Sequence, residues 1–126
     1  MFTEKEIAYI KSQHILRLAT VSKSLQPDVA PLVFQFDGDR FLISGFDIPK
    51  TLKYKNVQSG NNLVALVLDD LASVNPWTPR GIKIHGKAEI IEKDGHKVLL
   101  ITPQKLWSWG IEEAVARGHF RKATRG

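Results

Sequence analysis

The 126-residue chain has no cysteine and one methionine. Without thiols it can form no disulfide, offer no thiolate nucleophile and build no thiolate metal site, which fits a reducing compartment. Its four histidines do not fall at ligand spacing, so no metal centre is expected. No Ser/His/Asp set and no paired acid/base motif stands out. No apolar run approaches the roughly 20 residues of a membrane span. The opening MFTEKEIAYIK lacks an apolar segment behind basic residues, and a cytoplasmic location is expected. Low-complexity tracts and internal repeats are also missing, and the length suits a single domain covering residues 1–126.

The net charge of +5 invites a nucleic-acid reading, but its distribution argues against one. Arg117, Arg121, Lys122 and Arg125 lie in the last ten residues without an acid, so the preceding 116 residues carry only +1. The segment 117–126, RGHFRKATRG, is therefore read as a basic, poorly ordered and solvated tail. Without a basic stripe interleaved with aromatics, nucleic acid is not the expected partner.

What is present is mainly strand chemistry. Thr3 and Glu6 form a capping-box pattern ahead of a short helix ending near Ser12. Ile15 to Val21 is apolar and β-branched, and Val29 to Phe36 is a second extended run carrying Pro31. Pro31 cannot donate to a ladder, so it belongs on an edge, at a bulge or beside a ligand. Asp37-Gly38 turns into a strand from Arg40 to Ser44. Leu63 to Leu68 reads as a buried strand closed by Asp69-Asp70. From Arg80, Ile82, Ile84, Gly86, Ala88 and Ile90 alternate with Lys83, His85, Lys87 and Glu89, so one face is core and the other wet or against a partner. Gly86 predicts a bend or a close approach. Asp94-Gly95 then leads into Val98 to Thr102. The order gives a mainly β, small antiparallel barrel of about six strands with short covering helices.

Between these strands lies FLISGFDIPKTLKYKNVQSG. Pro49 suits a first helical turn, Asp47 or its neighbours can cap it, and Gly60 can stop it. Lys50 and Lys53, three apart, share one face of such a helix, and two ammonium groups beside free N–H groups make a seat for phosphate. The alternative is an ordinary solvated lysine face, and Lys55 is assigned to solvent. Trp77 and Arg80 sit in a WTPRG corner: a flat apolar surface and a rigid guanidinium fork. They either hold a ligand, or the tryptophan covers the barrel end while the arginine pairs with Asp69 or Asp70.

Four segments, HILRLATVS with QPDVAPLVFQF, FLISGFDIPKTLKYKNV, ALVLDDLASVNPWTPRGIKIHGKAEI and ITPQKLWSWGI, resemble in order and spacing the flavin-binding split barrels of the pyridoxamine 5'-phosphate oxidase-like family. The likeness is to its deazaflavin (F420)-dependent oxidoreductase branch, and it spans His14 to Ile111. It implies a homodimer with the cofactor in a cleft between two barrels. Ala30, Pro31, Leu32 and Val33 match the strand whose backbone follows the ring system, and Ser44 matches a small hydroxyl residue near the cofactor. Lys50, Thr51 and Lys53 match the phosphate-binding stretch, and Trp77 and Arg80 complete the implied cofactor-binding set. Trp107 and Trp109, on one side of an extended segment, match aromatics that approach the partner's cleft or pack the dimer interface.

The resemblance implies hydride transfer between the cofactor and a small organic substrate, with F420 favoured over FMN and the protein supplying orientation and electrostatics. His85, Arg80 or water are candidate proton donors, and no catalytic residue is assigned. The alternative function is a non-catalytic FMN- or haem-binding split barrel. Beyond Ile111 the chain gives no family motif.

Overall fold

The computed structural model describes residues 1–112 and 120–126. It begins with helix α1 (Glu4–Ser12), for which Thr3 forms a complete capping box. The Thr3 hydroxyl accepts from the Glu6 amide at 3.1 Å, and the Glu6 carboxylate accepts from the Thr3 amide at 2.9 Å. One side of α1 buries Glu6, Tyr9 and Ile10.

Eight strands follow: β1 (Leu16–Val21), β2 (Pro27–Leu32), β3 (Gln35–Phe36), β4 (Phe41–Ile43), β5 (Leu63–Ser73), β6 (Thr78–Lys93), β7 (His96–Trp109) and β8 (Arg121–Thr124). They pair antiparallel in the order β2-β1-β5-β6-β7-β4-β3, with β8 also on β7. Between β4 and β5 lie a 3₁₀ turn (Ile48–Lys50) and helix α2 (Leu52–Gln58), which Gly60 ends at φ +113°. Among the described residues no helix is long and apolar enough to cross a membrane.

Two strands exceed the six read from the pattern, and each has a cause. The run from Val29 to Phe36 is not one strand but two, separated at Val33 and Phe34. Phe34 and Phe36 turn inward against Phe41, with ring centroids 5.7 and 4.6 Å away. Because β2 and β3 are the two ends of the pairing order, this bend carries the chain from one edge of the sheet to the other. No hydrogen-bonded ladder joins those edges, and the sheet is open there. Pro31 lies on edge strand β2, where its missing donor costs no ladder bond.

The second extra strand corrects the reading of the tail. Residues 121–124 are not a solvated end but β8. Arg121 holds the carboxylate of Glu6, and Arg125 donates to Asp39 at 2.5 Å and to the Pro103 carbonyl at 2.6 Å. Two of the four tail cations are thus spent on internal partners; Arg117 lies outside the described residues.

Asp69-Asp70 does not close β5, which runs on to Ser73. Both carboxylates are met by cations on neighbouring strands, Asp69 by Arg17 at 3.4 Å and Asp70 by Arg80. The alternation along β6 is as the pattern implies, with Ile82, Ile84, Gly86 and Ala88 buried and Lys83, His85, Lys87 and Glu89 exposed. Gly86 stands at a register shift, where a Cβ would meet the Thr102 carbonyl oxygen at 3.0 Å. The core gathers Leu16, Leu18, Phe41, Ile43, Leu68, Ile82, Ile84, Leu99, Ile101 and Leu106.

Candidate active site

The larger cleft, about 840 Å³, opens between the loop that follows β4 and the β6–β7 hairpin. Antiparallel pairing of Ile43 with Leu99 makes this juxtaposition, because the chain leaving β4 must pass beside the start of β7. Leu42, Ile48 and Val98 give an apolar floor, Ser44 a hydroxyl, and Lys93, His96 and Lys97 cationic or titratable groups. The volume and the mix of apolar wall with a few polar groups are those of a small-molecule site. At the mouth Phe46 is 98% exposed, an unusual cost for a ring unless something packs on it.

The loop is shaped by Asp47, which adopts the left-handed conformation at φ 59° that aspartate tolerates better than most side chains. Asp47 does not cap the following turn through its side chain. Its carboxylate instead pairs with the Lys50 ammonium at 3.2 Å. Pro49 occupies the opening of that turn, as its fixed φ favours.

Lys50 and Lys53 do not share a continuous helix. Thr51 is extended between them, ending the 3₁₀ turn and starting α2 as its cap, with its hydroxyl donating to the Ile48 carbonyl at 2.6 Å and accepting from the Tyr54 amide at 3.4 Å. Lys50 therefore stays at the cleft end of the loop, largely exposed. Lys53 is half-buried near Asp28 of β2, and burial lowers its pKa while Asp28 opposes that shift.

Ala30, Pro31, Leu32 and Val33 lie on or just past edge strand β2, whose outer edge has no ladder partner among the described residues. Gln35, two residues beyond Val33, reaches the cleft and accepts from Lys93 at 3.5 Å.

Trp77 and Arg80 stand elsewhere, at the opposite end of β6 from the Lys93–His96 hairpin. Arg80 grips Asp70 bidentately at 2.7 and 2.9 Å and lies over the Tyr9 ring at 5.0 Å. The Tyr9 hydroxyl donates to the same carboxylate at 2.9 Å, and burial, reinforced by Asp70, pushes the phenol far above its ordinary value. Tyr9 and Arg80 border a smaller cavity of about 420 Å³ with Ser12 and Gly110. The arginine is thus ion-paired, whereas Trp77 is not packed over the sheet end: it is 61% exposed in the β5–β6 turn. Trp107 and Trp109 share the outward side of β7, and Trp109 packs so closely across Gly81 that a Cβ there would come within 2.5 Å of its ring.

Sequence reasoning did not single out Gln35, Phe46, Lys93, His96 and Lys97. The Asp94-Gly95 turn flanked by three basic or titratable residues was the available signal, but only the β4–β7 pairing shows which loop it faces.

The model of the family described as "Pyridoxamine 5'-phosphate oxidase" matches residues 2–110. The chain belongs to the pyridoxamine 5'-phosphate oxidase family. A curated relative, the 5a,11a-dehydrotetracycline/5a,11a-dehydrooxytetracycline reductase of Streptomyces rimosus, is 34% identical and aligns over 98% of this chain and 94% of its own length. Family and relative make this chain an oxidoreductase of the pyridoxamine 5'-phosphate oxidase group. Two solved structures share its fold at 19% identity. The conserved hypothetical protein Rv2991 of Mycobacterium tuberculosis has a TM-score of 0.72 over 94% of each chain, and an F420 reductase has 0.58 over 73% of this chain and 87% of its own.

Proposed function

We propose that this oxidoreductase binds a deazaflavin of the F420 type, with FMN as the alternative cofactor, and reduces a small organic substrate carrying a conjugated carbon-carbon double bond. The observation that carries the reading is the near full-length similarity to a dehydrotetracycline reductase, together with a cleft of fitting size in this chain. Either cofactor, when bound, supplies hydride chemistry that the side chains lack.

The residues fit such a group. Ser44 offers a hydroxyl to a polar ring edge; Ala30–Val33, on the unpaired outer edge of β2, do not line the cleft and are assigned backbone contacts to the ring from that edge. Lys50, exposed at the end of the Ser44 loop but outside the lining of the cleft, is assigned the phosphate, with Thr51 fixing the turn that presents it. Lys53, held toward Asp28, is a supporting charge. His96 is placed in the cleft wall to move a proton, whereas His85 lies edge-on to Trp107 on the outer sheet face.

A single chain does not bring Trp77 or Arg80 to Ser44, because the length of β6 separates them. In this reading the active form is a homodimer in which the partner's corner closes the cleft, and the exposed Trp77 and Phe46 are covered on association. The expected setting is the cytoplasm.

The deciding experiment is a fluorescence titration with oxidised F420 and FMN, followed by single-turnover oxidation of the reduced cofactor by dehydrotetracycline-type enones. Micromolar or tighter F420 binding and substrate-dependent reoxidation are expected. Failure of both cofactors to bind a folded dimer, or a Soret band on adding haem with no flavin binding, overturns the proposal.

A further inference from the structure

Two neighbouring acids on β5 are paired with arginines in different ways. Asp69 meets Arg17 through one contact at 3.4 Å, with both side chains about half exposed, an ordinary surface bridge. Asp70 stands directly across the ladder from Arg80 and takes its Nε and Nη2 at 2.7 and 2.9 Å. Tyr9 supports this second pair from α1: its ring lies under the guanidinium and its hydroxyl donates to Asp70 Oδ1 at 2.9 Å. Gln13 donates to Oδ2 at 3.4 Å. The stem of Arg80 is held too, because Gly110 backs onto it so closely that a Cβ there would lie 2.9 Å from both Cα and Cβ of the arginine.

Neutralising Asp70 does not require such a frame. Fixing an arginine costs rotamer freedom, and the adjacent Arg17–Asp69 pair is left far looser. What the frame adds is aim for the rest of the fork. Arg80 bonds through one N–H of Nε and one of Nη2, and its other three N–H groups have no partner among the described residues. Asp70 has already cancelled the charge, so this free end offers direction rather than net attraction. It suits a neutral carbonyl oxygen better than a phosphate or a carboxylate.

We propose that Asp70 and Tyr9 are positioning residues that hold Arg80 as a hydrogen-bond donor to the carbonyl oxygen of the substrate. The inference rests on the reading above, in which this corner of one protomer faces the cleft of its partner. When hydride adds to the β-carbon of a conjugated enone, the alkene pair forms the new double bond between the α-carbon and the carbonyl carbon. The carbonyl π pair moves onto oxygen, and a proton from His96 or water then completes the α-carbon. Arg80 meets the oxygen on which that charge develops, and a donor fixed beforehand need not reorganise as it does so.

Two measurements test the proposal. In the chain without cofactor, the Arg80 Nε–H resonance of nitrogen-labelled protein, identified by its loss in Arg80→Gln, should shift or broaden in Tyr9→Phe and in Asp70→Asn. An unchanged resonance in both overturns the positioning. In the F420-loaded protein, single-turnover oxidation of the reduced cofactor is followed against the concentration of a dehydrotetracycline-type enone. Arg80→Gln should lower the limiting rate about a hundredfold, as removal of one such donor does, with partial recovery in Arg80→Lys. Tyr9→Phe and Asp70→Asn should lower it about fivefold while the half-saturating enone concentration moves by less than about threefold. Losses of cofactor affinity and melting temperature in step with the rate assign these residues to the fold and overturn the proposal. A wild-type chain that binds F420 but turns over no enone fails differently: it overturns the proposed function, and this inference with it.

Discussion

Arg121 in the last strand donates from Nε and Nη2 to the two carboxylate oxygens of Glu6 in the first helix, at 3.0 and 2.8 Å. Glu6 is fully buried and also accepts from the Ser108 hydroxyl and the Thr3 amide. The two ends of the chain are therefore tied by a charge that water does not reach.

Removing the arginine leaves that carboxylate buried without its cation. Arg121→Met should destabilise the fold by about 3–5 kcal/mol, the range for breaking one side of a buried pair. A urea denaturation midpoint measures it. Adding Glu6→Gln should recover part of the loss; a cost near zero for Arg121→Met would mean the pair acts as a surface bridge.

Acid should weaken the fold through the same carboxylate and two others. Burial works to raise the pKa of Glu6, but hydrogen bonds from Arg121, Ser108 and Thr3 outweigh it and the net shift is downward. Asp70 is lowered chiefly by Arg80, and Asp37 by the backbone N–H groups of Arg40 and Asp39. A folded-state pKa below the unfolded one gives stability that is complete above the ordinary carboxylate range and is lost as pH falls through the folded values. Melting temperature should hold near neutrality and fall between about pH 5 and pH 2. Asp70→Asn should flatten that fall, and an unchanged slope would remove Asp70 from the account.

Trp109 and Gly81 make a packing prediction. A Cβ at residue 81 would lie 2.5 Å from the Trp109 ring and 2.8 Å from the Leu68 carbonyl oxygen. Gly81→Ala should cost about 1–3 kcal/mol as an overpacked contact. Adding Trp109→Leu relieves the ring but not the carbonyl, so a thermal melt of the double variant should show partial recovery only. Full recovery would place all the strain on the indole.

The strands were legible where one face is core: alternation along β6 gave its register because period two has one solution when half the residues must be buried. Pro31 announced an edge, a bulge or a ligand, of which the edge is found, and Gly86 a bend or a close approach, which is found as a register shift against the Thr102 carbonyl. The division of 29–36 was not legible, since it depends on Phe34 and Phe36 finding Phe41. The tail misled because charge composition does not show that Glu6, over a hundred positions away, waits for Arg121. In the candidate site, Pro49 marked a turn correctly, but the break at Thr51 that separates Lys50 from Lys53 is a backbone choice that spacing alone cannot reveal.

Trp77 tests the proposed dimer. Its ring is 61% exposed in one chain. If the partner's cleft covers it, Trp77→Ala should leave the monomer's core intact, because the ring contributes little to it, while weakening cofactor or substrate affinity. Sedimentation velocity combined with the F420 titration separates the cases. A dimer with weaker binding supports a cleft role, loss of the dimer supports interface packing, and neither change removes Trp77 from the site.

Lys50 and Asp47 give a paired test of the phosphate assignment. Lys50 is exposed and anchors no core contact, so Lys50→Ala should preserve the fold while weakening cofactor binding by about 1–3 kcal/mol, the value of a charge-assisted bond. Asp47 holds that ammonium at 3.2 Å and would compete with a phosphate for it. Asp47→Asn keeps a side chain that tolerates the left-handed backbone, removes the competing charge and should tighten binding. The two changes should therefore move affinity in opposite directions in one fluorescence titration. Were both neutral, the phosphate would have to be met elsewhere, with Lys93 and Lys97 of the opposite cleft wall the next residues to substitute.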